Sequence, residues 1–197
     1  PKNVKDFYLL KENFINKKLI KLEETSYKII RSQNELFVDE YYDTKLHSLF
    51  LKKASLRYRK RFIDNFGSKN LIQFKTQKES GELKGINEFK IEINPDERLI
   101  FYQDVRDYIN RPRNKNSELY KQLERYVNTS KIKPIFSLTQ KRDRFYLQDD
   151  NENTIFTISF DEVIYSKELL KKTYFVIEFE INETIMANSN KINSNIL

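Results

Sequence analysis

The sequence predicts an α+β fold, an antiparallel eight-stranded β-barrel turned inside out, with a charged lumen and helices packed around it. Three observations lead there. Ser55 to Phe62 sets Arg57, Arg59 and Arg61 on alternate positions between Leu56, Tyr58 and Phe62, and a strand sends successive side chains to opposite faces. At least four later segments repeat that division into a charged and an apolar face. The apolar faces carry residues too large to leave in water, and the predicted helices have apolar stripes that need a partner. Helices outside and charges inside satisfy both, and about eight strands are enough to close.

Taken in order, Val4–Leu10 reads as a short first strand and Glu12–Arg31 as a helix with a partial stripe from Phe14 to Ile30. Leu36–Asp43 is an aromatic-rich strand. Asp43 or Thr44 can cap a short helix whose face is Leu46, Leu49 and Phe50. After the arginine strand, Asp64–Asn70 reads as a hairpin connection to Leu71–Gln77, where Gln73, Lys75 and Gln77 oppose Ile72, Phe74 and Thr76. Lys78–Gly85 is a polar loop, and Ile86–Ile93 sets Glu88, Lys90 and Glu92 against Phe89, Ile91 and Ile93.

Asn94-Pro95 starts a helix carrying Leu99, Phe101 or Tyr102, Val105 and Ile109, which Pro112 stops. Asn110–Asn116 reads as a surface loop. Ser117 caps a further helix with Leu119, Leu123 and Val127 on one side. Pro134–Gln148 is a long strand with Gln140, Arg142, Arg144 and Tyr146 on one face. Ile155–Val163 turns Thr157, Ser159 and Asp161 away from Phe156, Ile158 and Phe160. Thr173–Asn182 turns Glu178 and Glu180 away from Phe175, Ile177, Phe179 and Ile181. The reading is one domain over residues 1–183, then a helical turn or tail over 184–197.

Composition narrows the classes. The 197 residues suffice for one sizeable core, yet only 39% are apolar against 33% charged, so Phe, Tyr, Ile and Leu must build that core. A net charge of +7 favours anionic partners. Without cysteine there are no disulfides or thiolate metal sites, and three glycines leave no Gly-rich phosphate loop. No apolar run reaches membrane-spanning length, and no signal peptide is visible. Pro1 in place of Met reads as the start of a fragment. His47, the only histidine, suits a surface or packing role, and the Ser and Thr residues form no triad-like set.

The predicted lumen holds Arg57, Arg59, Arg61, Lys75, Lys90, Arg142 and Arg144 with Glu88, Glu92, Asp161, Glu178 and Glu180. Dry, it would cost several kcal/mol for each unpaired charge, so it must be wet, paired or occupied. The bases suit a string of phosphates, which arginine grips bidentately. The acids make sense if they hold Mg2+ or Mn2+, cations that take oxygen ligands and bridge to phosphate. The same pattern also fits an open sheet with one solvated face whose charges pair across strands. A nucleic-acid face is a further rival, although acids spread through the same faces would repel a phosphate backbone.

Tyr41-Tyr42-Asp43-Thr44, Ser55-Leu56-Arg57-Tyr58-Arg59, Phe74-Lys75, the strand from Glu88 to Glu92, Lys141-Arg142-Asp143-Arg144, Phe160-Asp161-Glu162 and Ile177-Glu178-Phe179-Glu180 follow in that order. The series, over about residues 36–183, resembles the CYTH or triphosphate tunnel metalloenzyme superfamily. The resemblance implies a tunnel barrel that binds a triphosphate end-on. By motif, Arg57, Arg59, Lys75, Lys90, Arg142 and Arg144 would hold phosphates; Glu178, Glu180, Asp161, Glu88 and Glu92 would hold Mg2+ or Mn2+. Glu178 and Glu180 would also be catalytic.

Hydrolytic members of that superfamily open on a Glu-x-Glu-x-Lys strand, which Val4–Leu10 lacks. The polyphosphate-polymerase relatives, the VTC-type domains, do without it and carry helical insertions such as Asn94–Lys133 could supply, with Ser189-Asn190-Lys191 as their C-terminal lysine element; Glu180 stands where they tend to have a base. The expected activity is metal-dependent hydrolysis of inorganic, nucleoside or organic triphosphate. Polyphosphate synthesis from ATP, or binding of polyphosphate or nucleotide without catalysis, are the alternatives. Nucleic acid enters only as a 5′-triphosphate end. No membrane contact is expected, and the expected location is intracellular, cytoplasmic or facing the cytosol.

Overall fold

The computed structural model describes residues 4–22, 25–32, 34–63, 66–77, 85–94, 97, 102–167 and 169–182. The chain divides into two compact units. One comprises residues 1–35, 140–163 and 173–197, the other 36–139 and 164–172. Nine strands are present among the described residues, joined in one antiparallel sheet with a few helices, so the α+β class holds. The count is one more than predicted: β1 (Leu19–Leu22), β2 (Thr25–Arg31), β3 (Glu35–Asp43), β4 (Ala54–Ile63), β5 (Phe66–Gln77), β6 (Ile86–Ile93), β7 (Lys133–Gln148), β8 (Thr154–Lys167) and β9 (Leu170–Ile181). Among the described residues the strands run β1-β2-β7-β3-β4-β5-β6, with β8 on β7 and β9 on β8, without closing into a barrel.

The first unit opens on α1, Val4–Asn16, where the sequence predicts a strand followed by a longer helix. A short apolar run is compatible with either element until its partners are known. Phe7 and Phe14 lie two helical turns apart and therefore share a face. Phe7 packs on Phe160 and Phe175 with centroids 5.7 and 5.0 Å away, and Phe14 on Phe145 and Phe160. The predicted helix over Glu12–Arg31 is likewise overturned beyond Asn16. β1 (Leu19–Leu22) and β2 (Thr25–Arg31) form an antiparallel pair with Ile20 opposite Tyr27. Tyr27 and Ile29, two apart, turn to the same core, as β-branched and aromatic residues do on a half-buried strand. That core is Phe7, Phe145, Leu147, Ile158 and Phe160, the apolar sides of β7 (Lys133–Gln148) and β8 (Thr154–Lys167). β9, Leu170–Ile181, adds Phe175 and Ile177.

The second unit is built on β3 (Glu35–Asp43), β4 (Ala54–Ile63), β5 (Phe66–Gln77) and β6 (Ile86–Ile93). β4 and β5 pair antiparallel with Arg57 opposite Gln73, and β5 pairs β6 with Gln73 opposite Lys90. Leu56, Ile72 and Phe74 point to the other side and are fully buried with Tyr42 and Tyr58. α3 (Tyr102–Ile109) and α5 (Glu118–Tyr126) cover that side with Val105, Ile109, Leu119 and Leu123, and Val127 follows α5 into the same core. Here the predicted division between charged and apolar faces holds.

The Ser117 cap is as expected, while at α2 (Ser48–Leu51) the N-cap position is His47, which makes no side-chain cap bond, and of the predicted face Leu46, Leu49 and Phe50 only Leu49 is buried. Ser117 Oγ accepts the Tyr120 amide at the start of α5. Asp43 reaches α2 from outside it: Oδ1 accepts the amides of Thr44 and Leu49, and Oδ2 that of Phe50. The predicted surface loop at Asn110–Asn116 is instead α4, Pro112–Lys115, with Pro112 opening that helix rather than only ending the previous one. Asn114 is buried there because its amide donates to the Tyr108 carbonyl at 2.6 Å. The predicted loop over 78–84, residues 95, 96 and 98–101 of the predicted Asn94-Pro95 helix, and the tail with Ser189, Asn190 and Lys191 lie outside the described residues, as do residues 64 and 65 of the predicted hairpin connection.

Candidate active site

In the second unit the polar sides of β3 to β6 carry one connected ionic network. Its hub is Asp39, 1% exposed in mid-strand. Arg59 grips Asp39 with two parallel bonds, Nε to Oδ1 and Nη2 to Oδ2, both 2.6 Å. Arg57 Nη1 donates to the same Oδ2 at 3.1 Å and to the Tyr41 hydroxyl at 3.2 Å. From Arg57 the network crosses the sheet. Nε donates to Gln73 Oε1 at 2.6 Å, and Gln73 Nε2 donates to Glu88 Oε1 at 2.8 Å. Glu88 also meets Lys75 at 3.2 Å and Lys90 at 2.6 Å. Burial pulls the Glu88 carboxyl upward, but Lys90 and Lys75 outweigh it and hold it below the ordinary range.

Arg57, Arg59, Lys75 and Lys90 supply four cations to this network, and Asp39 and Glu88 two carboxylates, so those residues carry net +2. An excess of prearranged cations, Arg57, Arg59 and Lys75 half-buried and Lys90 exposed, suits a polyanion. The Arg61 guanidinium lies 5.9 Å from the Phe37 ring and that of Arg59 4.2 Å, so Phe37 backs the arginine strand by cation–π contact.

The first unit has the opposite balance. Arg142 forks onto Asp161, Nε to Oδ1 and Nη2 to Oδ2, both 2.7 Å, and Nη2 also donates to Glu178 Oε2 at 2.5 Å. Burial alone would lower the Arg142 pKa, but the two carboxylates raise it above its ordinary value. Arg144 Nη2 stands 3.3 Å from Glu35. Arg142 and Arg144 thus face three carboxylates, Asp161, Glu178 and Glu35, net −1. Asp143, on the opposite side of β7, binds Lys11 of α1 and Arg31 of β2 and is no part of this group.

The predicted residues therefore gather as two sets. Arg57, Arg59, Lys75, Lys90 and Glu88 share one network; Arg142, Asp161 and Glu178 share the other, with Arg144 next along β7. Glu92 and Glu180 are exposed and join neither. Sequence reasoning missed Asp39, Gln73 as a relay, Tyr41 and Glu35. The available signal was an aspartate in the middle of a strand, a position that disfavours it unless it is paired.

A family model described as the CYTH domain matches residues 9–185. The chain belongs to the CYTH domain family. Among solved structures, this CYTH domain is similar to a candidate adenylyl cyclase from Hippeastrum reported with a dominant triphosphatase activity, at 14% identity and TM-score 0.59, covering 97% of this chain and 80% of that one. It is similar at 15% identity and TM-score 0.58 to a candidate adenylate cyclase from Bacillus halodurans, covering 98% and 84%. At those identities the likeness concerns the fold. No curated protein matches the chain. No described helix is long and apolar enough to cross a membrane.

The family is generally dependent on a divalent metal. Among the described residues no three His, Cys, Asp or Glu side chains come together as a metal cage. Mg2+ asks for less, since it usually takes one or two carboxylates, keeps waters and shares substrate phosphates. Asp161 and Glu178 fit that donor set, two carboxylates aimed at one nitrogen of Arg142.

Proposed function

We propose that this CYTH domain hydrolyses a triphosphate-bearing substrate with the help of Mg2+ or Mn2+. The observation that carries the reading is the Asp39 hub, which holds Arg57 and Arg59 in fixed orientation on the polar side of the sheet. Arginines oriented before the substrate arrives lose little freedom on binding it, and their charge meets the negative charge that shifts among phosphate oxygens during transfer. In the second unit Arg57, Arg59, Lys75 and Lys90 are the phosphate contacts of this reading; in the first unit, taken by itself, the candidates are Arg142 and Arg144. Asp161 and Glu178 would hold the cation, which when bound would supply Lewis-acid neutralisation of phosphate oxygens. Release of Arg142 from the two carboxylates frees its guanidinium for phosphate. The Hippeastrum structure, with its reported triphosphatase activity, supports the same reaction class.

The test is to incubate the protein with inorganic triphosphate or ATP, with and without Mg2+ or Mn2+, and measure both free phosphate and polymer. Metal-dependent phosphate release is expected, reduced at least about 100-fold by Arg57→Ala and by Glu178→Gln. Polymer made from ATP would identify a polyphosphate polymerase instead. Tight binding with neither product would leave only a binding domain.

A further inference from the structure

The short connection from β3 to β4 puts apolar side chains into water in a group. Leu46, Phe50 and Leu51 are 78%, 75% and 74% exposed, more than any other large apolar side chain among the described residues except Leu169. Single exposed apolar residues need no explanation, but three within six positions form a patch. The patch is held in place from below. Asp43 accepts the amides of Leu49 and Phe50, and Leu49 is buried in the core on the side of β4 away from Arg57. Two of the three non-glycine residues with positive φ among the described residues, His47 and Lys53, bracket α2, both at φ 53°. Left-handed backbone is unfavourable for a lysine, so the chain accepts strain where it turns the patch outward.

The charge around the patch has one sign. Residues 44–53 include Lys45, Lys52 and Lys53, all exposed, and no acidic residue. Lys52 and Arg125 of α5 both line a cavity of about 550 Å³, to which Gln77, Asn87 and Gln122 add amides and no described residue adds a carboxylate. Lys52 Nζ donates to the Tyr126 carbonyl at 2.8 Å, which fixes that ammonium group. Apolar tips flanked by cations match the boundary of an anionic bilayer, where acyl chains take Leu and Phe while lipid phosphates take Lys and Arg. We propose that α2 and its flanking lysines dock the domain on an anionic phospholipid surface, with the cavity at Lys52 and Arg125 receiving a lipid headgroup. The expectation of no membrane contact rests on the lack of an apolar run of spanning length, which a surface contact does not require. The docking stands apart from the hydrolytic reading, because α2 packs on the side of the sheet away from the Arg57 network.

The experiment floats the protein with vesicles of phosphatidylcholine alone and of equal parts phosphatidylcholine and phosphatidylserine, at low and high salt. Melting temperatures establish that each variant folds. Wild type is expected to bind the mixed vesicles in preference, and salt to weaken that binding. Phe50→Ser is expected to weaken it roughly tenfold, since an aromatic side chain leaves the acyl boundary. Lys45→Gln and Arg125→Gln are each expected to weaken it about fivefold. The chain has no Trp, so Phe50→Trp supplies a single reporter whose emission moves to shorter wavelength on mixed vesicles. Absence of binding, or equal binding to both vesicle types, overturns the proposal. Binding unchanged in Phe50→Ser overturns it as well, by assigning the attraction to charge elsewhere on the domain. An unchanged Arg125→Gln overturns the headgroup role of the cavity. An emission shift in Phe50→Trp that needs no lipid and grows with protein concentration overturns the proposal in favour of a second copy of the chain.

Discussion

Asp39 and Arg59 form a fork in which both carboxylate oxygens meet guanidinium nitrogens at 2.6 Å, with Asp39 almost wholly buried. Arg57 shares one of those oxygens, so a single carboxylate fixes two cations. Asp39→Asn is expected to lower stability by about 3 kcal/mol, because a buried carboxylate shared by two guanidinium groups is lost. If those arginines take phosphate, inorganic triphosphate replaces the lost carboxylate and raises the melting temperature of the variant more than that of wild type. Equal increments in both would show that the arginines do not bind the anion.

Asp143 gives the first unit a defined response to acid. Burial raises its carboxyl pKa, but Lys11 and Arg31 outweigh that and hold it below the ordinary range. With the folded value depressed, the stabilisation is present above the unfolded carboxylate pKa near 4 and is lost as pH falls through the folded one. Asp143→Asn should therefore be less stable than wild type at pH 7 and approach it at a pH well below the ordinary carboxylate range. Denaturant melts at the two pH values check this, and a gap independent of pH would contradict it.

The cap on α2 comes from Asp43, whose two oxygens accept three backbone amides. Asp43→Ala should cost about 2 kcal/mol, since buried donors are left unsatisfied. Ser117→Ala, which removes a single cap bond at α5, should cost about 1 kcal/mol. Chemical denaturation of both variants gives the comparison, and a larger loss in Ser117→Ala would reverse the assignment.

The N-terminal segment can be tested as a helix. Phe7 is 1% exposed and Leu9 59%. Phe7→Ala should destabilise by about 3–4 kcal/mol and Leu9→Ala by less than about 0.5. Phe14→Ala should follow Phe7 in sign, because the two share a face of α1. A strand would instead make Phe7 and Leu9 equally sensitive, as they would then lie on one face.

The strands of the candidate site were legible because alternation of Arg57, Arg59 and Arg61 with Leu56, Tyr58 and Phe62 leaves little choice of element or face. The same held for Ile86–Ile93 and for the caps at Asp43 and Ser117. Val4–Leu10 was not legible. Its apolar run suits helix and strand equally, and only the distant rings of Phe145, Phe160 and Phe175 settle which residues must line up.

The sequence by itself determined which residues share a strand face, since a period of two is a property of the extended backbone and needs no partner. It therefore determined the polar set, the apolar set and the motif order that marks a CYTH domain. Only the tertiary structure decided which charges meet. Asp39 serves Arg57 and Arg59, Gln73 passes from Arg57 to Glu88, and Arg142 lies between Asp161 and Glu178. Strand order and register set those pairs, and both depend on contacts between segments far apart in the chain.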